Sequence, residues 1–401
     1  MKIIIAHNLY QQPGGEDVVV RQEMQMLRDA GHQVLHYMRS NDETQEFTGV
    51  KRLMLFAHTT WSSDTRREFA ELLSSERPDL VHVHNTFVMI SPSIYEACKH
   101  AGVPVVQTLH NYRLYCPAHT FLRNGLPCED CVTGSLLSSV RHRCYRGSAS
   151  ATAAVATMLT VNHKRGTYRN DVQRYIALTA FARDKFVECG LPAEKVVVKP
   201  NFIGPDPGER QSVGDYAVFM GRLTPEKGVA TALRAWQFLP PEFELKVIGD
   251  GPSLEDFRQM ASDLKLRNVT FLGRLPREQA FEYLASARFL LFPSEWYESF
   301  PMTILEAYAH GVPVVASRLG VMPEIVKDKK VGLLFEPRNP NSLAELVEGI
   351  WNDKALIRRL GQNARREYET LYTADENYRQ LIAIYNEVLQ RQPEVVHSSV
   401  V

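Results

Sequence analysis

The stretch G-R-L-T-P-E-K-G, Gly221 to Gly228, follows one apolar run and precedes another. A Gly such as Gly221 lets the backbone turn sharply, and Arg222 and Lys227 converge near an expected helix N-terminus. A guanidinium can fork to two oxygens and an ammonium acts as a mobile point charge, so the pair suits a diphosphate. A strand-to-helix turn with two solvated charges would read the same way. The stretch I-G-D-G-P, Ile248 to Pro252, repeats the strand-to-helix pattern. Its glycines, Gly249 first, let backbone approach a ligand, but they serve any tight turn equally well. Next, P-S-E-W-Y-E-S-F-P places Glu298 in a loop after a strand and, further on, Glu306 inside the following helix. Carboxylates there can accept hydrogen bonds from sugar and ribose hydroxyls, while the helix N-terminus faces phosphate. Pro301 fits the first helical turn. A solvated acid with a capping acid is the plain alternative. A glycosidase-type acid pair is another, and the upstream phosphate-binding residues argue against it.

Cys116, Cys128, Cys131 and Cys144 lie together around C-E-D-C. C-x-x-C is a favourable spacing for two thiolates on one zinc ion, and four cysteines close the tetrahedron, with His119 or His142 able to replace one. Free thiols, or a reversible disulfide between Cys128 and Cys131, are the alternatives. Lone Cys98 and Cys189 read as core residues. The surrounding loop, Asn111 to Gly147, is long and poor in pattern, which calls for a function or a staple. From Val132 to Asn170 no acid occurs, while Arg141, Arg143, Arg146, Lys164, Arg165 and Arg169 do. Interleaved with Leu136, Leu137, Val140, Val155, Met158 and Leu159, they suggest a surface resting on anionic lipid headgroups. A basic acceptor pocket or plain solvated helix faces are the alternatives.

The elements that must position these residues are short β-branched runs alternating with helices. Lys2 to Ala6, Leu80 to His84, Pro104 to Leu109 and Tyr175 to Thr179 read as strands, with helices at Asp17 to Ala30 and Pro92 to Ala101. A Gly/Pro-rich stretch, Gly204 to Gly208, is a linker candidate. Beyond it Tyr216 to Met220, Leu245 to Ile248, Val269 to Leu272, Phe289 to Phe292, Val312 to Ala316 and Gly332 to Phe335 form a second strand set. Asn341 to about Gln390 reads as helix, and Val396 to Val401 as a frayed tail. Apolar strands separated by helices imply parallel sheets with both faces covered. The expected class is α/β, as two consecutive doubly wound domains with a ligand cleft between them.

With 401 residues, two domains are expected. Lys+Arg and Asp+Glu both number 46. A nucleic-acid binder would show a basic excess, so nucleic acid is not an expected partner. No stretch reaches membrane-spanning length without charges, which leaves a cytoplasmic protein as the default and a disulfide framework disfavoured.

In order and spacing these motifs resemble the retaining glycosyltransferases of family 4, which have the GT-B fold. The match rests on G-R-L-T-P-E-K-G, G-D-G-P, the E-x7-E pair Glu298/Glu306, P-G-G-E at Pro13 to Glu16 and T-L-H-N at Thr108 to Asn111, and it covers nearly the whole chain. The resemblance implies two Rossmann-like domains facing each other across a cleft. Residues 1–203 would be the acceptor side, carrying the Cys-rich insertion 111–147. Residues 204–375 would bind the nucleotide sugar, and a helix at 376–392 would pack back on the first domain. By the same resemblance Arg222 and Lys227 hold the diphosphate and stabilise the leaving nucleotide, Glu298 binds donor-sugar hydroxyls and Glu306 the ribose. Gly14 and Gly15 form a mobile loop over the phosphates, and His110 sits near the reacting sugar carbon. Gly221, Gly249, Ser299, Phe300 and Met302 join the donor site.

The implied activity is retaining transfer from a UDP- or GDP-sugar to a glycan or lipid-linked acceptor, in cell-surface polysaccharide or glycolipid synthesis. It would need no catalytic metal and would place the protein in the cytoplasm, peripheral to the inner face of the plasma membrane. Base choice would lie in backbone and loop contacts, Arg274 among them. Two departures stand out: E-S-F-P replaces the commoner E-x-F-G, so Pro301 offers no N–H, and Gly320-Val321 replaces a Gly pair. Other enzymes of the same fold are alternatives, but an epimerase needs acids placed for C2 chemistry and a phosphorylase a pyridoxal-phosphate lysine. A catalytically silent scaffold would be expected to have lost the cations or the acid pair, and all four residues are present.

Overall fold

The β-branched runs become the strands of two parallel sheets. The computed structural model describes residues 1–11, 14–46 and 48–390, so Pro13 and the tail Val396 to Val401 lie outside the described residues. The chain forms two units: 1–120, 129–200 and 377 onward make the first, and 121–128 with 201–376 the second. The first carries β1 (Lys2–Leu9), β2 (Gln33–Ser40), β3 (Leu80–Asn85) and β4 (Val105–Leu109). Two short strands, β5 (Leu122–Arg123) and β6 (Leu126–Pro127), pair as an antiparallel hairpin that groups with the second unit. With β7 (Arg174–Ala177) and β8 (Val196–Val198), the first sheet runs β2-β1-β3-β4-β7-β8, all parallel. The second unit carries β9 (Tyr216–Met220), β10 (Glu244–Ile248), β11 (Val269–Gly273), β12 (Leu290–Phe292), β13 (Val314–Ser317) and β14 (Gly332–Phe335). Its order is β11-β10-β9-β12-β13-β14, again all parallel.

Apart from the short β5–β6 hairpin, the strands absent from the sequence reading, β2 and β8, are the two edges of the first sheet. An edge strand keeps polar residues on an exposed face, so Gln33, His36 and Arg39 break the apolar run that marks a central strand. The expected helical tail is three helices, Pro340–Trp351, Lys354–Leu371 and Ala374–Gln390. Asp353 starts the second by accepting the Leu356 N–H at 2.8 Å. The third supplies Leu381, Tyr385 and Val388 to the core of the first unit, against Ile3, Ile5, Val20 and Leu27. In the second unit Trp351 stacks on Phe243 at 4.3 Å within a core that includes Phe219, Trp236 and Phe289.

Candidate active site

In the second unit the strand order reverses between β9 and β12, and ligands of doubly wound sheets bind outside the carboxyl ends of strands at such a point. The loop with Arg222 and Lys227 leaves β9, the loop with Glu298 leaves β12, and Gly249 follows β10. The Gly221 N–H donates to the Ile248 carbonyl at 3.0 Å and the Leu223 N–H to that of Asp250 at 2.9 Å, which ties the two glycine turns together. Gly228 has φ +72°, and a Cβ there would lie 1.9 Å from the Pro293 oxygen. Only a glycine lets the Lys227 turn seat directly on the loop after β12.

Lys227 Nζ donates to Glu298 Oε1 at 2.7 Å, and Ser294 Oγ donates to the same oxygen at 2.8 Å. The residue expected to grip phosphate and the one expected to bind sugar hydroxyls are thus an ion pair. Glu298 is 6% exposed, while Arg222 is exposed. Gly221, Lys227, Phe292, Ser294 and Thr303 line one small cavity. Met302 opens the helix Met302–Ala309, whose first N–H groups have no side-chain cap. The Ile304 N–H donates to the Pro301 carbonyl at 3.0 Å, and the Met302 and Thr303 N–H groups ahead of it can face an anion. Pro301 is the residue before this helix, not part of its first turn as expected. Ser299 and Phe300 are half-buried, with the Phe300 ring 6.3 Å from Tyr372. Burial pushes the Glu306 carboxyl up to about 7, and Arg277, 4.0 Å away, only partly opposes this. Arg274 is exposed just after β11. Sequence reasoning missed Glu295. It accepts from Thr231 Oγ1 at 2.6 Å and Arg338 Nε at 3.2 Å, and so fixes the loop that carries Glu298.

In the first unit Gly14 precedes the helix Gly15–Asp29, and its N–H donates to Asp17 Oδ2 at 2.9 Å. His110 follows β4, with its Nε2 2.9 Å from His84 Nδ1. Burial, then the neighbouring His84, hold the His110 imidazole well below its ordinary value. Burial likewise pushes His84 down to about 3. Behind it Glu23 Oε1 lies 3.2 Å from His84 Nε2 and 3.1 Å from His82 Nδ1, and Glu23 Oε2 lies 3.4 Å from Lys199 Nζ. Neither imidazole makes a hydrogen bond to Glu23 Oε1. Burial alone would raise the Glu23 carboxyl, but Lys199 and His82 more than offset it and hold it well below the carboxylate range. The sequence showed this network only as V-H-V-H in a strand, a pattern that reads as core.

Among the described residues Glu23, His82 and His84 are the one group of at least three metal-capable side chains with ligand atoms within 4.8 Å. Lys199 already neutralises Glu23, and both ring nitrogens of His82 are engaged, by Tyr385 and Thr108. The group fits an ionic core network better than a cation site. Cys116 is buried and Cys128, Cys131 and Cys144 are half-buried, and among the described residues the four do not form such a group. Val155, Met158 and Leu159, expected on a lipid-facing surface, are buried instead. The helix Ala149–Arg165 turns them into its core face. Leu137, 75% exposed, and the exposed Arg141, Arg143 and Arg146 remain on the surface. Among the described residues no helix is long and apolar enough to cross a membrane.

Residues 13–206 match the family model described as glycosyltransferase family 4, and residues 208–367 the model described as glycosyl transferases group 1. An exopolysaccharide phosphotransferase of Streptomyces coelicolor is 32% identical over 62% of this chain, which spans 28% of that protein. The O-antigen chain mannosyltransferase C of Escherichia coli is 28% identical over 45% of the chain and 49% of its own length. The N-acetyl-alpha-D-glucosaminyl L-malate synthase of Bacillus anthracis is 24% identical over 97% of this chain and 98% of its own. Among solved structures, Anabaena HepE in complex with UDP and glucose has a TM-score of 0.70 at 18% identity, covering 96% of this chain and all of that one. Sucrose-phosphate synthase from Thermosynechococcus elongatus also has a TM-score of 0.70 at 18% identity, over 97% of this chain and all of that one. At such identities the likeness concerns the fold.

Proposed function

The chain belongs to glycosyltransferase family 4 and has the GT-B fold, and from that premise we propose that it is a retaining transferase. It moves a sugar from a UDP- or GDP-sugar to a hydroxyl of a glycan or lipid-linked acceptor, in the synthesis of cell-surface polysaccharide or glycolipid. One observation carries the reading: at the strand-order reversal of the second unit, the loop of Arg222 and Lys227 after β9 is joined to the loop after β12 by the Lys227–Glu298 pair. Arg222 and Lys227 take the diphosphate, Glu298 the sugar hydroxyls and Glu306 the ribose. The uncapped start of the helix at Met302 adds backbone N–H groups toward phosphate.

The acceptor hydroxyl attacks on the face from which the nucleotide diphosphate departs. The leaving phosphate takes the hydroxyl proton, and the two cations stabilise the charge that builds on it. His110 is assigned to the reacting sugar, and Gly14 and Gly15 to the phosphates, on the family resemblance alone. UDP and glucose in HepE, and the mannosyl transfer named for the Escherichia coli relative, support the donor class. The test is nucleotide release from UDP-glucose, UDP-N-acetylglucosamine and GDP-mannose, with and without lipid extract, followed by the anomeric configuration of the product. Inversion at the anomeric carbon removes the retaining mechanism. No release from any donor removes the transferase.

Two further proposals rest on less. Leu137 with the exposed arginines supports contact with an anionic membrane at the inner face of the plasma membrane, checked by co-sedimentation with anionic vesicles at low salt. The C-E-D-C spacing alone supports a structural zinc, which metal analysis of chelator-free protein would remove if it found less than about half a zinc per chain.

A further inference from the structure

Arg113 is a cation with no part in the reaction above. It lies just past the carboxyl end of β4, in the loop that begins at His110. Its guanidinium is 4.3 Å from the centroid of Phe87 and 5.1 Å from that of Tyr145. Nη1 donates to the Pro117 carbonyl, and Nη2 lies 2.9 Å from His119 Nδ1. A guanidinium only donates, so His119 must accept through that nitrogen. Burial, then the Arg113 charge, push His119 down to about 3, so it remains neutral. The cation is therefore held by a carbonyl, a neutral imidazole and two rings. Among the described residues no carboxylate lies within ion-pair distance of it, and burial pulls it below its ordinary value.

The acid that bears on it is Glu16, next to the Gly14-Gly15 turn. Burial pushes Glu16 up to about 8, so at neutral pH it is mostly uncharged and does not compensate Arg113. Glu16 Oε2 accepts from Tyr10 Oη at 2.9 Å, and Tyr10 Oη accepts from Asn111 Nδ2 at 3.2 Å. Glu16 Oε1 is buried without a hydrogen-bond partner, with His7 Nδ1, likewise unbonded, 3.8 Å away. A half-buried cation with no counter-anion is costly to keep, and a neutral acid with a free oxygen beside it can donate to an anion.

We propose that Arg113, with Glu16 beside it, binds an oxyanion carried by the acceptor, a carboxylate or a phosphate. The guanidinium fork matches both, and the Phe87 and Tyr145 rings hold its plane before a ligand arrives. The acceptor part of this assignment rests on the transferase reading, while the anion site itself does not. If Arg113 merely pins its loop, through Pro117 and the rings, no anion is needed.

The test titrates the full chain with malonate and with inorganic phosphate at constant ionic strength and pH 7, by calorimetry. Wild type, Arg113→Gln, Arg113→Lys and Arg222→Ala are compared. Saturable binding is expected in wild type and Arg222→Ala, weakened at least about tenfold in both Arg113 variants. Arg113→Lys keeps the charge and the aliphatic stem, so it covers the case in which Arg113→Gln does not fold. No anion binding in wild type, or equal binding in the Arg113 variants, overturns the site. A second arm pairs glucose with glucose 6-phosphate and with glucuronate as acceptors and reads nucleotide release. The charged acceptors are expected to outrun glucose, with the ranking separating phosphate from carboxylate, and Arg113→Gln to erase the advantage. Equal use of glucose and its charged partners overturns the acceptor assignment. Anion binding at Arg113 without nucleotide release from any donor would sink the transferase reading and leave the anion site standing.

Discussion

At the scale of single residues, the Lys227–Glu298 pair sets the expectation for mutants. Unit charges near 4 Å interact by roughly 4 kcal/mol at an effective dielectric of about 20, and about 1.4 kcal/mol is tenfold in rate. Arg222→Ala or Lys227→Ala should therefore cut transfer by several hundredfold to about a thousandfold with circular dichroism unchanged. Near-wild-type turnover in either variant would remove its assignment. Glu306 gives a pH test. Its folded value, about 7, lies above the ordinary 4.5. Between the two the folded state keeps a proton the unfolded state has lost, so stability falls as pH rises through that window. Glu306→Gln should flatten this part of the denaturation profile. A ribose hydroxyl would donate to the ionised carboxylate, so UDP should bind more tightly as pH rises through 7, by up to about tenfold per unit below it. The same pH dependence of UDP affinity in Glu306→Gln would contradict the ribose role.

At the scale of elements, the site depends on turns packed against each other more than on any strand. Gly228 illustrates this, because its Cβ would strike the Pro293 carbonyl and its φ is +72°. Gly228→Ala should cost about 2–4 kcal/mol and displace Lys227 from Glu298. Urea denaturation measures the first effect and nucleotide release the second. A loss under about 0.5 kcal/mol would mean the turn relaxes freely. The motifs here were legible because each bundles a strand end, a glycine and a helix start into a few residues. The edge strand β2 was not, because Gln33 and His36 on its exposed face dilute the apolar pattern, and β8 was not, because three valines are too short a run to mark a strand. Asn341 to Gln390 read as a single helical tail because its apolar faces recur on either side of the breaks at Asn352-Asp353 and Tyr372-Thr373.

At the scale of the whole molecule, each unit has its own core, and the first borrows its last layer from the far end of the chain. Leu381, Ile384, Tyr385 and Val388 pack with Ile3, Val20 and Leu80. At about 1.5–3 kcal/mol for each fully buried apolar side chain, removing four approaches the whole stability of a domain, about 5–15 kcal/mol. A chain ending at Glu376 should lose the cooperative unfolding of its first unit, while the second keeps its own transition. Calorimetry would resolve the two. A first unit that still melts cooperatively would show that this helix is dispensable.

The sequence alone determined the α/β class, the position of nearly every central strand and the second-unit motif residues that leave the strand ends where the strand order reverses. These properties follow from local spacing, because a loop that leaves a strand and enters a helix brings its own cations and backbone N–H groups to one point. Only the tertiary structure decided what those residues touch. It paired Lys227 with Glu298, turned Val155, Met158 and Leu159 inward, and stacked His110 on His84, which in turn lies against Glu23. It also left Arg113 without a carboxylate partner, while burial kept Glu16 uncharged. Burial and partnership join residues far apart in the chain, and no spacing along one strand of sequence encodes them.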